Sequence, residues 1–202
     1  MTHPSTTKWQ NQKLVIASQN KGKIIEIADL LAPLGFIVSS AADYTAVEPE
    51  ETEDTFEGNA LIKARFVHSE TQLPALADDS GLVIPALGGD PGVYSARWAE
   101  NGDFGVAMKK VQARLTPDMD TSAYFVCALA FINTDGKEFV FTGTCYGHIQ
   151  FPAKGLSGFG YDPIFIPNGE TRTFGEMPYS EKKQYSHRSH AFTQFQQFLL
   201  AS

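Results

Sequence analysis

The feature that most restricts this chain is a long apolar run that ends near a turn signal. Ala123 to Ile132 is its longest fully apolar run, ten residues. Asp135-Gly136 follows closely, a dipeptide that favours two-residue hairpins. A second strand pattern comes next, so residues 121–132 and 138–149 read as one long hairpin. Ten residues fall far short of the roughly 20 needed to cross a bilayer. In a two-residue register Cys127 stands opposite Thr144 and Cys145 opposite Val126, which sends the thiols to opposite faces of the sheet. Both are therefore expected to be reduced, and no C-x-x-C spacing suggests a metal or redox pair.

Around the hairpin, strands and helices alternate. Residues 1–12 are polar, and Lys13 to Ser18 is a short buried-type strand. Lys21 to Leu34 places Ile24, Ile27, Ala28 and Leu31 on one helical face. Phe36 to Ser39 is the next strand. Residues 41–60 carry seven acids and no lysine or arginine, and Asp54 with Glu57 resembles a capping box that opens a second helix. Phe56, Ala60, Ala64 and Val67 form its buried stripe, with Asn59 and Lys63 at the edge. Leu73 to Ala77 is a strand that runs into Asp78-Asp79-Ser80-Gly81. A helix over about Phe104 to Leu115, the hairpin, a glycine-rich loop (155–160), a short strand from Asp162 and a closing helix through Phe192 and Leu199 complete the chain. The pattern is α/β with a mixed sheet, in one domain over residues 13–202 behind a polar N-terminal tail over residues 1–12.

Sixteen basic residues against 23 acidic ones give a formal net charge of −7, which argues against a nucleic-acid or acidic-membrane binder. Met1 to Gln12 lacks the apolar core of a signal peptide, so the expected location is the cytoplasm. A small anionic ligand remains compatible, provided a few local cations or a metal hold it.

Four segments could carry chemistry. Ser18-Gln19-Asn20-Lys21-Gly22-Lys23 joins a strand to a helix and aims backbone N–H groups and two lysines at one spot, which suits an anion. A helix capped by Asn20 with two solvated lysines explains the same residues. Asp78 and Asp79 are adjacent in a strand, so one faces a given side while the other braces a turn; hard oxygen ligands of this kind suit Mg²⁺. An acidic turn is the plainer reading. The loop GLSGFGYDP lets backbone approach a flat ligand on which Phe159 or Tyr161 could stack, or it is a tight connection. Lys182, Ser186, His187 and Arg188 place donors just ahead of the last helix. His187 and His190 without a third ligand make a poor zinc site.

Taken in order, SQNKGK, the acidic stretch leading to TFEGNALIKA, ADDSGL, GGDPGVYSAR, GFGYDPIF and EKKQYSHR resemble the inosine triphosphate pyrophosphatase family. The resemblance runs from about Lys13 to the C-terminus. It implies an elongated mixed β-sheet with flanking helices, two lobes around a central active-site cleft, a homodimer, and Mg²⁺-dependent release of a nucleoside monophosphate and pyrophosphate. Carried over by motif, Ser18, Gln19, Asn20, Lys21, Gly22 and Lys23 would hold the triphosphate, assisted by Lys63. Glu50 and Asp79 match the metal-binding acids, with Glu51 beside the first as an alternative. Asp79 also matches the proton acceptor and Ser80 a substrate contact. Phe159, Gly160, Tyr161 and Asp162, with Lys182, His187 and Arg188, match the surroundings of base and sugar. Met177-Pro178-Tyr179 and Tyr185 depart from the family pattern beside the SHR motif.

The expected activity is hydrolysis of ITP, dITP and XTP, with no nucleic-acid or membrane partner. A donor such as Arg188 or protonated His187 suits the C6 keto oxygen of hypoxanthine or xanthine, whereas adenine presents an amino group there. Two other readings compete: a pyrimidine or modified-nucleotide pyrophosphatase, and a nucleotide sensor that has lost hydrolysis. His187-Arg188 speaks against the first, and Asp79 with three lysines against the second.

Overall fold

The computed structural model describes residues 9–201. Six strands are hydrogen-bonded in the order β2-β1-β3-β4-β5-β6. They are β1 (Lys13–Ala17), β2 (Ile37–Ser40), β3 (Ala75–Val83), β4 (Ser122–Ile132), β5 (Glu138–Ile149) and β6 (Phe165–Pro167). β1 runs parallel to β2 and to β3, while β5 and β6 are antiparallel, so the sheet is mixed as the alternation implied. The helices are α1 (Lys21–Leu31), α2 (Phe56–Thr71), α3 (Phe104–Arg114), the single turn α4 (Tyr179–Lys182) and α5 (His187–Ala201).

The chain divides into two compact units. One holds the chain up to Asp78, Ala128–Thr142 and the segment from Ala191 onward; the other holds Asp79–Cys127 and Gly143–His190. The first is built on alanines. Ala17, Ala60, Ala64, Ala75, Ala77, Ala128 and Ala130 are buried together, and small side chains let a helix lie close to strands. The second packs larger groups, among them Leu82, Phe125, Tyr161, Phe165 and Phe174.

Several expectations shift by a residue or more. The N-terminal stretch is not polar tail to residue 12. Trp9 is buried, its Nε1–H donates to the Leu199 carbonyl at 3.2 Å, and its ring packs on Phe36 and Phe131. Residues 1–8 of that tail lie outside the described residues. Thr55, not Asp54, caps α2: its Oγ1 accepts the Gly58 N–H at 3.1 Å. β3 continues through Asp78-Asp79-Ser80-Gly81 to Val83, held there partly by the Leu82 N–H donating to Ser95 Oγ at 2.9 Å.

The hairpin register also differs. The Asn133 N–H donates to the Lys137 carbonyl, and Asn133 Oδ1 accepts from the Asp135 and Lys137 N–H groups. The connection is therefore a three-residue loop, closed by Gly136 at φ 73°, a conformation favoured by glycine. At the far end the Ile149 N–H donates to the Thr121 carbonyl, and the Tyr124–Tyr146 and Phe131–Phe139 ring pairs keep the same offset. Cys145 thus stands opposite Phe125, on the same face as Cys127 rather than the opposite one. Both cysteines are free and buried, and burial pushes the Cys145 thiol up to about 12. The cysteines are free as expected, although not because they face opposite sides of the sheet.

Candidate active site

In the first unit, β1 delivers its C-terminal end into the loop that starts α1. Asn20 Oδ1 accepts the Lys23 N–H at 3.1 Å, and Ser18 Oγ accepts the Asn20 N–H at 3.2 Å. Gln19, Asn20 and Lys21 are exposed, while Ser18 is buried. Lys23 folds back instead: its Nζ lies 2.5 Å from Asp78 Oδ1, and that carboxylate is fully buried. Asp78 therefore braces the first turn of α1 rather than a turn of its own strand. One pocket is lined by Ser18, Gln19, Glu48, Pro49 and Lys63, so the loop, the acidic segment and α2 meet within one unit.

The acidic segment is pinned rather than simply solvated. Asn59 is fully buried; its Oδ1 accepts the Glu53 N–H at 2.9 Å, and its Nδ2–H donates to the Glu53 carbonyl at 3.1 Å. Asn59 thus fixes the loop, while Lys63 lines the pocket. Lys63 Nζ donates to Glu51 Oε1 at 2.7 Å, whereas Glu50 is exposed.

The ion pair on β3 has a measurable consequence. Removing one partner of a buried pair leaves a charge without its counter-ion, which costs several kcal/mol at full burial. Lys23 is 15% exposed, which discounts the effect. Lys23→Ala is expected to lower unfolding stability by up to about 3 kcal/mol, and Lys21→Ala by no more than about 0.5 kcal/mol. Equal urea midpoints for the two variants would remove the bracing role of Asp78.

In the second unit, of the donors expected ahead of the last helix, His187 and Arg188 sit within its first turn, whereas Lys182 ends α4 and Ser186 precedes α5. Ser186 Oγ accepts the Ser189 N–H at 3.1 Å, so α5 starts at His187 and points Arg188 inward. Arg188 is 1% exposed. Its Nη2–H donates to Ser80 Oγ at 3.0 Å, and its guanidinium carbon lies 5.9 Å from the Phe159 ring centroid. Lys182 Nζ is 4.7 Å from the same ring and donates to Asp162 Oδ2 at 2.7 Å. That oxygen also accepts the Phe159 N–H at 2.8 Å, which ties the glycine-rich loop to α4. A Cβ on Gly158 would lie 2.0 Å from the same oxygen, so only glycine fits there. His187 is buried with its ring stacked on Phe125, and His190 Nδ1 sits 2.8 Å from the Thr144 carbonyl oxygen.

Ser80, Phe159, Asp162, Lys182 and Arg188 thus form one cluster. Tyr161 does not offer a face to it. Its hydroxyl donates to the Ser95 carbonyl at 2.9 Å, its ring packs edge-on to Phe104, and burial raises its pKa. Gly160 turns the chain at φ 67° beside Phe104. Asp79 is buried at 5% exposure, and alternation along β3 sends it to the face opposite Asp78. Sequence reasoning missed Ser95 and Phe125, which look like ordinary loop and core residues.

The model of the Ham1 family matches residues 14–198. The chain belongs to that family. A protein of Rhodospirillum centenum named dITP/XTP pyrophosphatase is 50% identical over 198 residues, covering 96% of this chain and 97% of the relative. One of Caulobacter vibrioides with the same name is 51% identical over 183 residues, covering 89% and 94%. Among solved structures, the Staphylococcus aureus Ham1 protein superposes with a TM-score of 0.85 at 36% identity, covering 94% of this chain and 99% of its own. Ham1 membership thus takes in both units, and with them the lysine-bearing loop of the first and the buried donor cluster of the second.

Proposed function

We propose that this chain hydrolyses the α–β phosphoanhydride bond of non-standard purine nucleoside triphosphates (dITP, ITP and XTP), releasing the nucleoside monophosphate and pyrophosphate. The observation that carries the reading is the buried donor cluster of Arg188 and Lys182 on the Phe159 ring. The names borne by its Ham1 relatives support it. Donors suit a C6 keto oxygen and leave an adenine amino group without an acceptor, a loss of about 1–3 kcal/mol for each buried group left unpaired. Phe159 provides the flat surface, and Asp162 fixes both it and Lys182.

The motif resemblance assigns the triphosphate to the loop that starts α1. Backbone N–H groups at the start of α1 and the exposed Lys21 attract phosphate oxygens. Lys63 supplies a second charge, held in place by Glu51. Asp79 accepts the proton of the attacking water as the new P–O bond forms, and the pyrophosphate leaves with the electron pair of the broken anhydride bond.

The donor chemistry fits a hard divalent cation. Among the described residues no group of three or more histidine, cysteine or acidic side chains could hold a metal ion. Mg²⁺, however, takes one or two protein carboxylates and completes its shell with water and substrate phosphates. The motif resemblance gives Asp79 and Glu50 as the residues that would hold it, Glu51 being engaged by Lys63. Bound there, Mg²⁺ would supply charge neutralisation for the phosphates and for the leaving oxygen.

We further propose a homodimer acting in the cytoplasm, the assembly and location that the motif resemblance implies. No helix among the described residues is long and apolar enough to cross a membrane.

Pyrophosphate release measured for dITP, ITP, XTP, GTP, ATP, dTTP and UTP with Mg²⁺ tests the assignment. Release from the first three well above the rest is the expected outcome. Preference for dTTP or UTP would move the activity to pyrimidines, and binding without release would make the chain a sensor.

A further inference from the structure

We propose that Phe125 is a positioning residue for the base-reading end of the site, acting through His187; the inference rests on the proposed function and on the motif resemblance, which sets His187 beside the base. Phe125 lies on β4, 6% exposed. The His187 imidazole is stacked on its ring, with centroids 4.8 Å apart and planes 16° from parallel. Phe125 is itself held by two further rings: Phe165 meets it at 4.7 Å and 61°, and Phe174 lies at 6.2 Å and 21°. Phe174 in turn lies 5.6 Å from Lys182 Nζ, so one aromatic stack supports donors from both α4 and α5.

The stack has a directional effect. A ring pressed face to face cannot swing about its side-chain torsions without losing contact area, so the plane in which its N–H groups point is fixed. An aromatic face also favours a cationic partner over a neutral one, which suits an imidazole that donates to a keto oxygen. Backbone packing alone asks only for an apolar side chain at position 125. A flat one is needed if the orientation of His187 matters.

The test measures kcat and KM separately for dITP and dATP in Phe125→Leu, in Phe125→Tyr and in a Phe131→Leu control. Phe131 is on the same strand and fully buried, and its ring packs against Trp9 and Phe195. Phe125→Leu is expected to raise KM for dITP by about tenfold and to move dATP by about twofold or less. Phe125→Tyr should restore the dITP/dATP ratio to within about twofold of the unaltered protein. Phe131→Leu should lower the melting temperature and leave the ratio alone. Equal changes for both substrates in Phe125→Leu, or a ratio shift in Phe131→Leu as large, would overturn the proposal.

A spectroscopic measurement covers variants that fail to fold. In the unaltered protein the His187 ring-proton resonance, assigned with His187→Gln, should lie upfield because it sits over the Phe125 face. A resonance at the ordinary imidazole position overturns the stacking by itself. If the unaltered protein releases no pyrophosphate from dITP, the proposed function fails, and the resonance still reports on the stack.

Discussion

The Asp79→Asn variant is expected to lose at least about 100-fold in kcat, the low end for removing a general base. The substitution keeps the size and shape of the side chain while deleting its charge and its capacity to accept a proton. Asp79 is buried on β3, a strand anchored on one side by the Lys23–Asp78 pair and on the other by Ser95. An amide at this position should therefore leave the fold in place, and an unchanged melting temperature would separate chemistry from stability. The same carboxylate is assigned to Mg²⁺, so removing the metal should act in parallel. Turnover should vanish in excess EDTA and return on adding Mg²⁺. Full activity in chelator would remove the metal-binding role of Asp79, and near-normal kcat in the variant would remove Asp79 from the reaction.

What could be read from the sequence, and what could not, follows a physical division. Periodicity and capping are local, and β1, α1, the acidic loop, the hairpin and α5 lie within a few residues of where pattern placed them. Errors arose where a local signal has two solutions. Asp135-Gly136 fits a two-residue turn as well as the three-residue loop found, and the choice depends on Asn133 bonding across it. That single residue moved every cross-strand pair. Asp78-Asp79-Ser80-Gly81 reads as a turn by composition, yet it continues β3, because its surroundings supply partners such as Ser95 to backbone groups near it. For the site, the residue types were legible and their partners were not. Lys23 and Asp78 are 55 positions apart in the chain, Ser80 and Arg188 are 108 apart, and only the fold joins them. The structure also divides the expected ligand residues by task. Asp162 and Tyr161 hold the loop in shape, whereas the Phe159 ring lies beside the Lys182 and Arg188 cations. Phe125 gave no signal because a buried aromatic in an apolar strand is what any core contains.

Arg188→Ala is expected to collapse discrimination between purines. The guanidinium is fully buried and fixed by Ser80 at 3.0 Å, with its carbon 5.9 Å from the Phe159 ring centroid, and nothing in the phosphate chemistry calls for a donor there. If it satisfies the C6 keto oxygen, its loss should remove about 1–3 kcal/mol of discrimination, or up to roughly a hundredfold in the ratio of kcat/KM for ITP over ATP. The fall should come from ITP, because alanine supplies no acceptor for the adenine amino group and so gives ATP nothing. Truncating so large a buried side chain also leaves a cavity and lowers stability, which reduces the amount of active protein. The ratio is indifferent to that amount, since both substrates meet the same enzyme. Measuring both in one preparation therefore isolates base reading from folding. A proportionate drop for ITP and ATP would place Arg188 in the scaffold or at the phosphates, and base reading would pass to Lys182, to His187 on its aromatic support, or to the loop that carries Phe159.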